Sequence, residues 1–421
     1  MPDRAEMNRQ DIETGILVAG GGLAGLTAAL ALGRQGHDIV LAAPPAPTTD
    51  GRTTALLGDS VNLLESLGVW DRIEPDARAL RIMRLIDATG RLLRAPQADF
   101  RAQEIGLDAF GYNVANAGLL QAIREALSGI ENVHIIEEPV TGLTEEGGNA
   151  AVTLQGGTTV HAALVVAADG RNSIVRQSAG IGVRNWSYPQ VAVVCNLRHT
   201  LPHNDISTEF HTPTGPFTLV PLGDRRSSLV CVEDAAGAER LMELDRETLN
   251  LELERRMQSI LGKAEVDGKL QRFPLSGMMA EKFAVGRTVL VGETSHVFPP
   301  IGAQGYNLSL RDVATLTGLT SGIRGKEELS ERVPVIVRQY DARRRGDVHA
   351  RTASVDLLNR SLLSPYLPVQ VLRSLGIAAL SSFGPLRRFA MREGAVAGSG
   401  LRGADPFGRV RQSIGRRRDA S

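Results

Sequence analysis

A glycine-rich run near the start of the chain has the residue types and the spacing that bind a pyrophosphate. It follows the apolar segment Ile16 to Ala19 and reads Gly20-Gly21-Gly22-Leu23-Ala24-Gly25. In a turn of this pattern the first glycine makes the tight turn, the second lets the backbone approach the phosphates, and the third lets a helix pack closely on the strand. The helix then directs its unpaired N–H groups at the same phosphates. We therefore predict a dinucleotide site formed by Gly20, Gly22, Leu23, Ala24 and Gly25.

The acidic residue that usually completes such a site is missing. An acid about 20 positions further on, at the end of the second strand, ordinarily binds the ribose 2′-hydroxyl. Here that position reads Ala42-Ala43-Pro44. Two interpretations stay open: Asp50, the nearest acid, reaches back from the following loop, or the adenosine end of the ligand is held less firmly.

Two more motifs follow apolar strands much later in the chain. The first is Ala168-Asp169-Gly170-Arg171-Asn172-Ser173-Ile174-Val175-Arg176. The second begins Gly292-Glu293-Thr294-Ser295-His296 and continues as Pro299-Pro300-Ile301-Gly302-Ala303-Gln304-Gly305-Tyr306-Asn307-Leu308. His296 has two interpretations, a catalytic role or a capping or packing role, and we favour the second.

The apolar pattern predicts a scaffold that brings these motifs together. The strand Ile16 to Ala19, the helix Leu23 to Leu32 and the strand Ile39 to Ala43 form a β-α-β unit, which opens a doubly wound parallel sheet. Thr158 to His161 and Leu164 to Ala168 are predicted as two further strands. Ser60 is predicted to cap the next helix.

The middle of the chain has a different pattern. From Gln190 to about Val232 apolar residues alternate with polar ones, which is typical of an antiparallel sheet. Nucleotide-binding segments return at Thr288 to Gly292 and in the helix from Gly302 to Leu316. The predicted fold class is therefore α/β, a doubly wound nucleotide-binding domain with an inserted antiparallel β-sheet domain and C-terminal helices. The nucleotide-binding domain is assigned to residues 14–80, 101–185 and 284–330, the inserted domain to 81–100 and 186–283, the helical region to 331–400 and a basic tail to 401–421.

Composition excludes several function classes. Lys plus Arg and Asp plus Glu both number 47 in the 421 residues, so no overall field favours nucleic acid. Cys195 and Cys231 form no metal-like cluster and are predicted to be buried free thiols, so no metal is expected. Sparse cysteine and a polar N-terminus predict a cytoplasmic protein. No apolar run approaches the ~20 residues that span a bilayer.

Taken with Arg52, the three motifs resemble the fingerprints of the class A FAD-dependent aromatic monooxygenases, which have the para-hydroxybenzoate hydroxylase fold. The middle segments narrow the resemblance, since Trp186 to Gln190 and Thr212 to Leu222 are similar to the central block of the ubiquinone-biosynthesis hydroxylases. The late stretches Arg373 to Gly376 and Gly384 to Arg388 are similar to that family's C-terminal helices. The resemblance covers Gly15 to Gly394. Trp186 and Tyr188 either line a pocket for an aromatic ring or join the two domains.

This resemblance implies an activity. FAD would be the cofactor, with NAD(P)H or another electron donor, and molecular oxygen would hydroxylate a prenylated phenol or quinol through a flavin C4a-hydroperoxide. A flavin halogenase or reductase is the less favoured alternative, because Trp70 and Trp186 stand far apart. A simple NAD dehydrogenase would leave the two later motifs unexplained.

The resemblance also implies residue roles. Glu293 takes the place of an aspartate that binds the ribityl hydroxyls, and Arg52 would lie beside the pyrophosphate or the flavin edge. Asp169 would meet the phosphate region through its backbone and water. The backbone carbonyl of Pro300 would face the substrate. The helix that opens at Gly305, Tyr306 and Asn307 would aim N–H groups at the pyrimidine end of the flavin.

Four departures from the family pattern fall on these contacts, at Ala43, Ala117, Glu293 and Ala303. Ala117 stands in the segment Asn113 to Gly118, where the family usually carries an arginine near the flavin. The alternative function is therefore a non-catalytic assembly or accessory subunit of the ubiquinone pathway.

The C-terminal part leaves two interpretations open. Leu362 to Phe389 is apolar with scattered arginines, and basic residues continue at Arg409, Arg411 and Arg416 to Arg418. These segments either form a peripheral contact with the inner membrane or a pathway complex, or they pack on the FAD domain with a solvated tail. We favour the second. Oligomeric state is not predicted.

Overall fold

The structure is a computed structural model that describes residues 11–45, 51–90, 94–146, 148–299, 304–363 and 384–395. Across these residues the chain forms two eight-stranded sheets and a three-stranded sheet. In chain order the strands are β1 (Asp11–Ala19), β2 (Ile39–Ala42), β3 (Thr53–Leu57), β4 (Arg78–Ala79), β5 (Ile82–Asp87), β6 (Ala98–Arg101), β7 (Gly111–Ala115), β8 (Val133–Ile136), β9 (Val140–Glu146), β10 (Asn149–Leu154), β11 (Thr159–Ala167), β12 (Val183–His199), β13 (Ile206–His211), β14 (Pro216–Pro221), β15 (Arg226–Asp234), β16 (Ala264–Ala280), β17 (Ala284–Val285), β18 (Thr288–Leu290) and β19 (His296–Val297).

The α-helices pack on these sheets. In chain order they are α1 (Leu23–Gly33), α2 (Gly58–Ser66), α3 (Trp70–Ile73), α4 (Asn116–Leu127), α5 (Ile174–Ser178), α6 (Ala235–Glu243), α7 (Arg246–Arg256), α8 (Gln304–Thr320), α9 (Gly325–Leu363) and α10 (Gly384–Ala395). Among the described helices, none is long and apolar enough to cross a bilayer.

The first sheet has the order β17-β18-β11-β1-β2-β8, and its central strands run parallel. Both of its faces are covered, so the central strands are apolar without alternation. Helices α1, α4, α8 and α9 cover one face, whereas the β9–β10 hairpin and α5 cover the other. The predicted α/β class is confirmed.

Strand β11 corrects the prediction of two strands, Thr158 to His161 and Leu164 to Ala168. It is one continuous strand, and two different strands pair with successive parts of one of its edges. The first half pairs antiparallel with β10, the second half pairs parallel with β18, and β1 runs along the whole length of the other edge.

The second sheet has the order β19-β16-β12-β15-β14-β13-β5-β6. Its pairs are antiparallel as predicted, except that β13 and β5 run parallel. Val193, Cys195 and Leu197 point to one face, which α6 and α7 cover. Cys195 and Cys231 are both buried free thiols, which confirms that prediction.

The small sheet, β3-β7-β4, and helix α10 join parts of the chain that are far apart in sequence. On β7, the Asn113 amide donates to the backbone oxygen of Pro221 in the second sheet at 2.9 Å. On α10, Met391 is buried against Ala102 and Phe110. The basic residues from Arg409 onward lie outside the described residues.

Candidate cofactor and active site

The glycine-rich turn between β1 and α1 has little room for any other residue. Gly20 has φ +112°, and a Cβ on it would lie 2.2 Å from the Ala168 backbone oxygen. A Cβ on Gly25 would lie 1.9 Å from the Gly20 backbone oxygen. These contacts give the tight turn and the close packing of α1 on the sheet.

Gly22 is placed differently from its neighbours. It is the N-cap of α1, it has no side-chain cap, and the first turn of α1 contains no acidic residue. A Cβ on Gly22 would meet no atom within 4 Å, so open space adjoins the N-terminus of α1. An uncapped helix end beside open space is suited to a phosphate. Leu23 and Ala24, the first residues of the helix, are half-buried beside it.

The turn that follows β18 comes up against α1. Gly292 has φ +67°, and a Cβ on it would lie 3.1 Å from the Ala24 Cβ and 3.0 Å from the Ser309 Oγ of α8. Glu293 is exposed, and within the described residues its carboxylate has no side-chain partner. Its carboxylate is therefore available at the place where α1 and α8 meet.

A buried carboxylate holds this turn in position. Asp312 on α8 is fully buried and accepts hydrogen bonds from Gly292 N at 2.8 Å, His296 Nε2 at 2.8 Å and Arg344 Nε at 2.6 Å. Burial opposes ionisation of Asp312, but Arg344 and His296 outweigh it, so the pKa of Asp312 stays below its usual value. His296 is accounted for as a packing histidine that anchors the turn to α8.

Asp169 has a structural role in its side chain. Its carboxylate accepts from Ser173 Oγ at 2.5 Å and from Ile174 N at 2.9 Å, next to the N-terminus of α5. Its backbone nitrogen would lie 2.9 Å from a Cβ on Gly20, which places the backbone beside the glycine turn. The carboxylate is thus occupied, and the predicted contact through the backbone remains a prediction.

Helix α8 turns two of its predicted residues inward. Thr27 Oγ1 donates to the Leu23 backbone oxygen, so it accepts from Tyr306 Oη at 2.7 Å. Burial raises the pKa of Tyr306 far above its usual value, so the phenol stays protonated. Gly305 is exposed in open space. Pro300 and Ala303 lie outside the described residues, so their predicted roles are untested.

The Asn307 side chain ties α8 to the segment that follows β3. Its Oδ1 accepts from Leu57 N at 2.9 Å and from Ser60 Oγ at 2.6 Å, and its Nδ2 donates to the Ala55 backbone oxygen at 2.7 Å. The prediction that Ser60 caps α2 is wrong. The helix begins at Gly58, and the Ser60 hydroxyl is used by Asn307 instead.

Arg52 is exposed at the junction of the small sheet and the second sheet. Its backbone oxygen accepts from Asn116 N at 3.0 Å, at the start of α4. The neighbouring Gly51 oxygen accepts from Asn196 Nδ2 on β12 at 3.2 Å. The predicted cation therefore lies where the two large units meet. Asp50 is outside the described residues, and Ala43 is buried against Gly21.

The second sheet turns an apolar face toward this junction. Side chains alternate along a strand, so Val194 on β12 points away from the helix-covered face, as Asn196 does. Val194 and Val230 are half-buried, and with Tyr188 they pack around Ala192 and Leu275. This face is suited to an aromatic or prenylated ligand.

The sequence prediction missed Asp312, Arg344 and Arg176. Asp312 lies four residues beyond the end of the motif that was singled out, and Arg344 lies on the next helix. Arg176 was within a motif but was given no role. It is buried, and its Nη1 donates to the backbone oxygens of Arg171 and Thr294 at 2.9 Å each. Arg344 is the middle one of three consecutive arginines between Asp341 and Asp347, so its local sequence gives no signal that sets it apart from its neighbours.

The open helix end, the tight glycines and the exposed carboxylate of Glu293 fit the dinucleotide FAD. The family model described as FAD binding domain matches residues 13–346. The chain belongs to the FAD-binding domain family.

Relatives of this FAD-binding protein are similar over almost their whole length. The ubiquinone hydroxylase UbiL of Rhodospirillum rubrum is 34% identical over 90% of this chain and 88% of its own length. The 3-demethoxyubiquinol 3-hydroxylase of Escherichia coli is 31% identical over 90% of this chain and 97% of its own length. The predicted resemblance to the ubiquinone hydroxylases is confirmed.

Solved structures confirm the fold. The complex of Klebsiella pneumoniae HpxO with FAD and uric acid has a TM-score of 0.72 at 19% identity and covers 92% of this chain and 97% of that one. The p-nitrophenol 4-monooxygenase PnpA of Pseudomonas putida has a TM-score of 0.69 at 19% identity, and the match covers 93% of this chain and 98% of that one. Membership of the FAD-binding domain family gives FAD as the cofactor, as the sequence predicted.

Proposed function

We propose that this chain is an FAD-dependent monooxygenase that hydroxylates the aromatic ring of a prenylated phenol or quinol in ubiquinone biosynthesis. The observation that carries the proposal is the convergence of the open α1 N-terminus, Glu293 and α8 at one place. The likeness to two hydroxylases that are more than 30% identical over nearly the whole chain supports the substrate class.

Residues of this chain would hold the cofactor at defined places. The backbone at Gly20, Gly22 and Gly25, with Leu23 and Ala24, would receive the pyrophosphate at the positive end of α1. Glu293 would accept hydrogen bonds from the ribityl hydroxyls. Arg52 and the backbone of Asp169 would border the phosphates, and the N–H groups near Gly305 would face the flavin. Bound and reduced FAD supplies the oxygen-activating chemistry.

The protein then has to orient the ring and exclude water. The apolar face around Val194 and Val230 would hold the aromatic ring and the start of the prenyl chain. This face is on the side of β12 where Asn196 contacts Gly51, next to Arg52. The ring would therefore be held between the second sheet and the flavin. The Pro300 carbonyl is proposed to face the substrate, as the family resemblance implies.

Three further assignments belong to the same proposal. NAD(P)H is the proposed electron donor, and molecular oxygen is the co-substrate. The domain boundaries given above are proposed to separate the FAD-binding unit from the substrate-binding unit. The prenyl chain of the substrate would bring the protein to the surface of the inner membrane. Flotation with liposomes of a chain lacking residues 409–421 tests the tail, and unchanged flotation would exclude it.

The experiment for the function has two separate readings. The visible spectrum with added FAD shows whether the cofactor binds, and oxygen consumption with a short-chain prenylated phenol shows whether it works. Flavin absorbance with substrate-stimulated oxygen uptake supports the proposal. A folded protein that takes up no FAD would support the accessory-subunit alternative, which the departures at Ala43, Ala117 and Glu293 favour.

A further inference from the structure

A pocket separate from the proposed cofactor and substrate contacts lies beside the loop that follows β11. Its volume is about 340 Å³. It is formed where this loop meets the ends of β12 and β16, which pair antiparallel here. The lining residues are Arg171, Asn185, Trp186, Ser187, Ser276 and Gly277.

The indole of Trp186 forms one wall of this pocket. Gly277 pairs with Trp186 across the strands, and a Cβ on Gly277 would lie 2.0 Å from the indole Cε2. The ring therefore rests on the bare Gly277 backbone, a position that any larger residue would block. Trp186 Nε1 donates to Tyr188 Oη at 2.8 Å, so the indole N–H is already satisfied. What the half-buried ring offers to a ligand is its aromatic surface.

A guanidinium stands at the other wall. Arg171 Nη2 donates to Ser276 Oγ at 2.8 Å, and the Arg171 backbone oxygen is fixed by buried Arg176 at 2.9 Å. The nearest carboxylate along the chain, Asp169, is engaged by Ser173 and Ile174. The other five lining residues are uncharged, so the pocket has one formal charge, and it is positive.

We propose that this pocket binds a planar aromatic ring that carries an anionic group. The ring would stack on Trp186, and the anion would bind Arg171, which matches phosphate and carboxylate geometry. The amide of Asn185 and the hydroxyl of Ser187 would set the orientation. The volume is at the small end of the range of about 300–1,000 Å³ for ligand pockets, which suits a mononucleotide or an aromatic acid. This inference does not depend on the hydroxylation reaction.

The test uses the FAD-loaded full chain carrying Trp70→Phe. The chain has two tryptophans, and Trp70 is buried against Tyr112, so this change leaves Trp186 as the only indole reporter. AMP and benzoate are titrated separately while the emission of Trp186 is recorded. We expect a saturable change with at least one probe. Saturation by AMP alone identifies a nucleotide ligand, and saturation by benzoate alone identifies an aromatic acid.

Matched arginine variants decide whether Arg171 is responsible. Arg171→Gln is expected to weaken binding about tenfold or more, because it removes the charge-assisted contact. Arg184→Gln changes an exposed arginine on β12, the strand of Trp186, that does not line the pocket, and it is expected to have no effect. Calorimetric titration of the chain with Trp70 retained gives the affinity if Trp70→Phe impairs folding.

Three results would overturn the proposal. They are the absence of saturable binding with both probes, equal weakening by both arginine variants, and release of FAD by the probe. The last would show that the pocket belongs to the cofactor cleft. Loss of hydroxylase activity alone would leave these binding measurements unaffected, so the two proposals fail separately.

Discussion

Replacing Asp312 with asparagine tests whether the buried carboxylate holds the turn that presents Glu293. Asparagine has nearly the same size, so the change removes charge without making a cavity. Asp312 accepts three hydrogen bonds, from Gly292 N, His296 Nε2 and Arg344 Nε, at 2.8, 2.8 and 2.6 Å. Its side chain has no exposed surface, and that of Arg344 is 4% exposed.

The expected loss follows from these contacts. Removing one partner of a buried ion pair costs about 3–5 kcal/mol, because the other charge is left uncompensated. Arg344 keeps one partner, since its Nη1 donates to the partly exposed Asp347 at 2.7 Å. We therefore expect the lower end, a fall of about 3 kcal/mol in the free energy of unfolding. Asparagine keeps one acceptor oxygen, which cannot serve both Arg344 Nε and Gly292 N, so the turn is held less firmly and FAD affinity should fall about tenfold.

Urea unfolding of the FAD-free protein measures the stability, and quenching of flavin fluorescence measures the affinity. Asp59→Asn is the matched control, because Asp59 pairs with Arg311 at 3.3 Å but is 47% exposed. An exposed pair of this kind contributes about 0–1 kcal/mol. If Asp312→Asn were no more destabilising than Asp59→Asn, the anchoring role of the buried carboxylate would be refuted.

Three further predictions concern the glycine turn, Glu293 and acid stability. Gly25→Ala should lower both thermal stability and FAD affinity, because its Cβ would lie 1.9 Å from the Gly20 oxygen. Gly22→Ala places its Cβ in open space and should lower only FAD affinity. Equal losses of melting temperature in the two variants would contradict this prediction. Glu293→Gln should weaken FAD binding about tenfold in fluorescence titrations, whereas Glu293→Asp should retain most of the affinity. Unchanged binding in Glu293→Gln would show that Glu293 does not contact the cofactor. Burial lowers the pKa of His199 below its ordinary value of 6.5, so the folded chain binds that proton less readily than the unfolded chain, and stability is lost as pH falls below 6.5. His199→Gln should therefore narrow the difference in melting temperature between neutral and mildly acidic buffer, and an unchanged difference would count against it.

Local patterns were sufficient to predict the first β-α-β unit. Gly20 and Gly25 stand in a motif whose spacing already indicates the turn and the packing. The apolar second part of β1, Ile16 to Ala19, is a short run directly before them, whereas the polar first part of the strand was not predicted. The burial of Cys195 and Cys231 also followed from their apolar neighbours. These features depend on residues that are close in sequence.

Other features depend on partners that are distant in sequence. The Asp312–Arg344 pair joins two helices, and nothing near Asp312 in the sequence indicates which cation it meets. Ser60 resembles an N-cap, yet its hydroxyl is used by Asn307, 247 positions away. The sequence predicts two strands where β11 is one, because a change of pairing partner along one edge of a strand leaves no local signal in the sequence. The parallel pairing of β13 with β5 likewise brings an early segment into the later sheet.

The most direct test of the proposed activity is a single-turnover reaction with labelled oxygen. The FAD-loaded chain is reduced chemically, which removes any dependence on the electron donor, and is mixed with a short-chain prenylated phenol and ¹⁸O₂. The account predicts a ring-hydroxylated product that contains one ¹⁸O atom, measured by mass spectrometry. Reoxidation of the bound flavin with all of the oxygen recovered as peroxide, and no labelled product from any prenylated phenol or quinol, would contradict it.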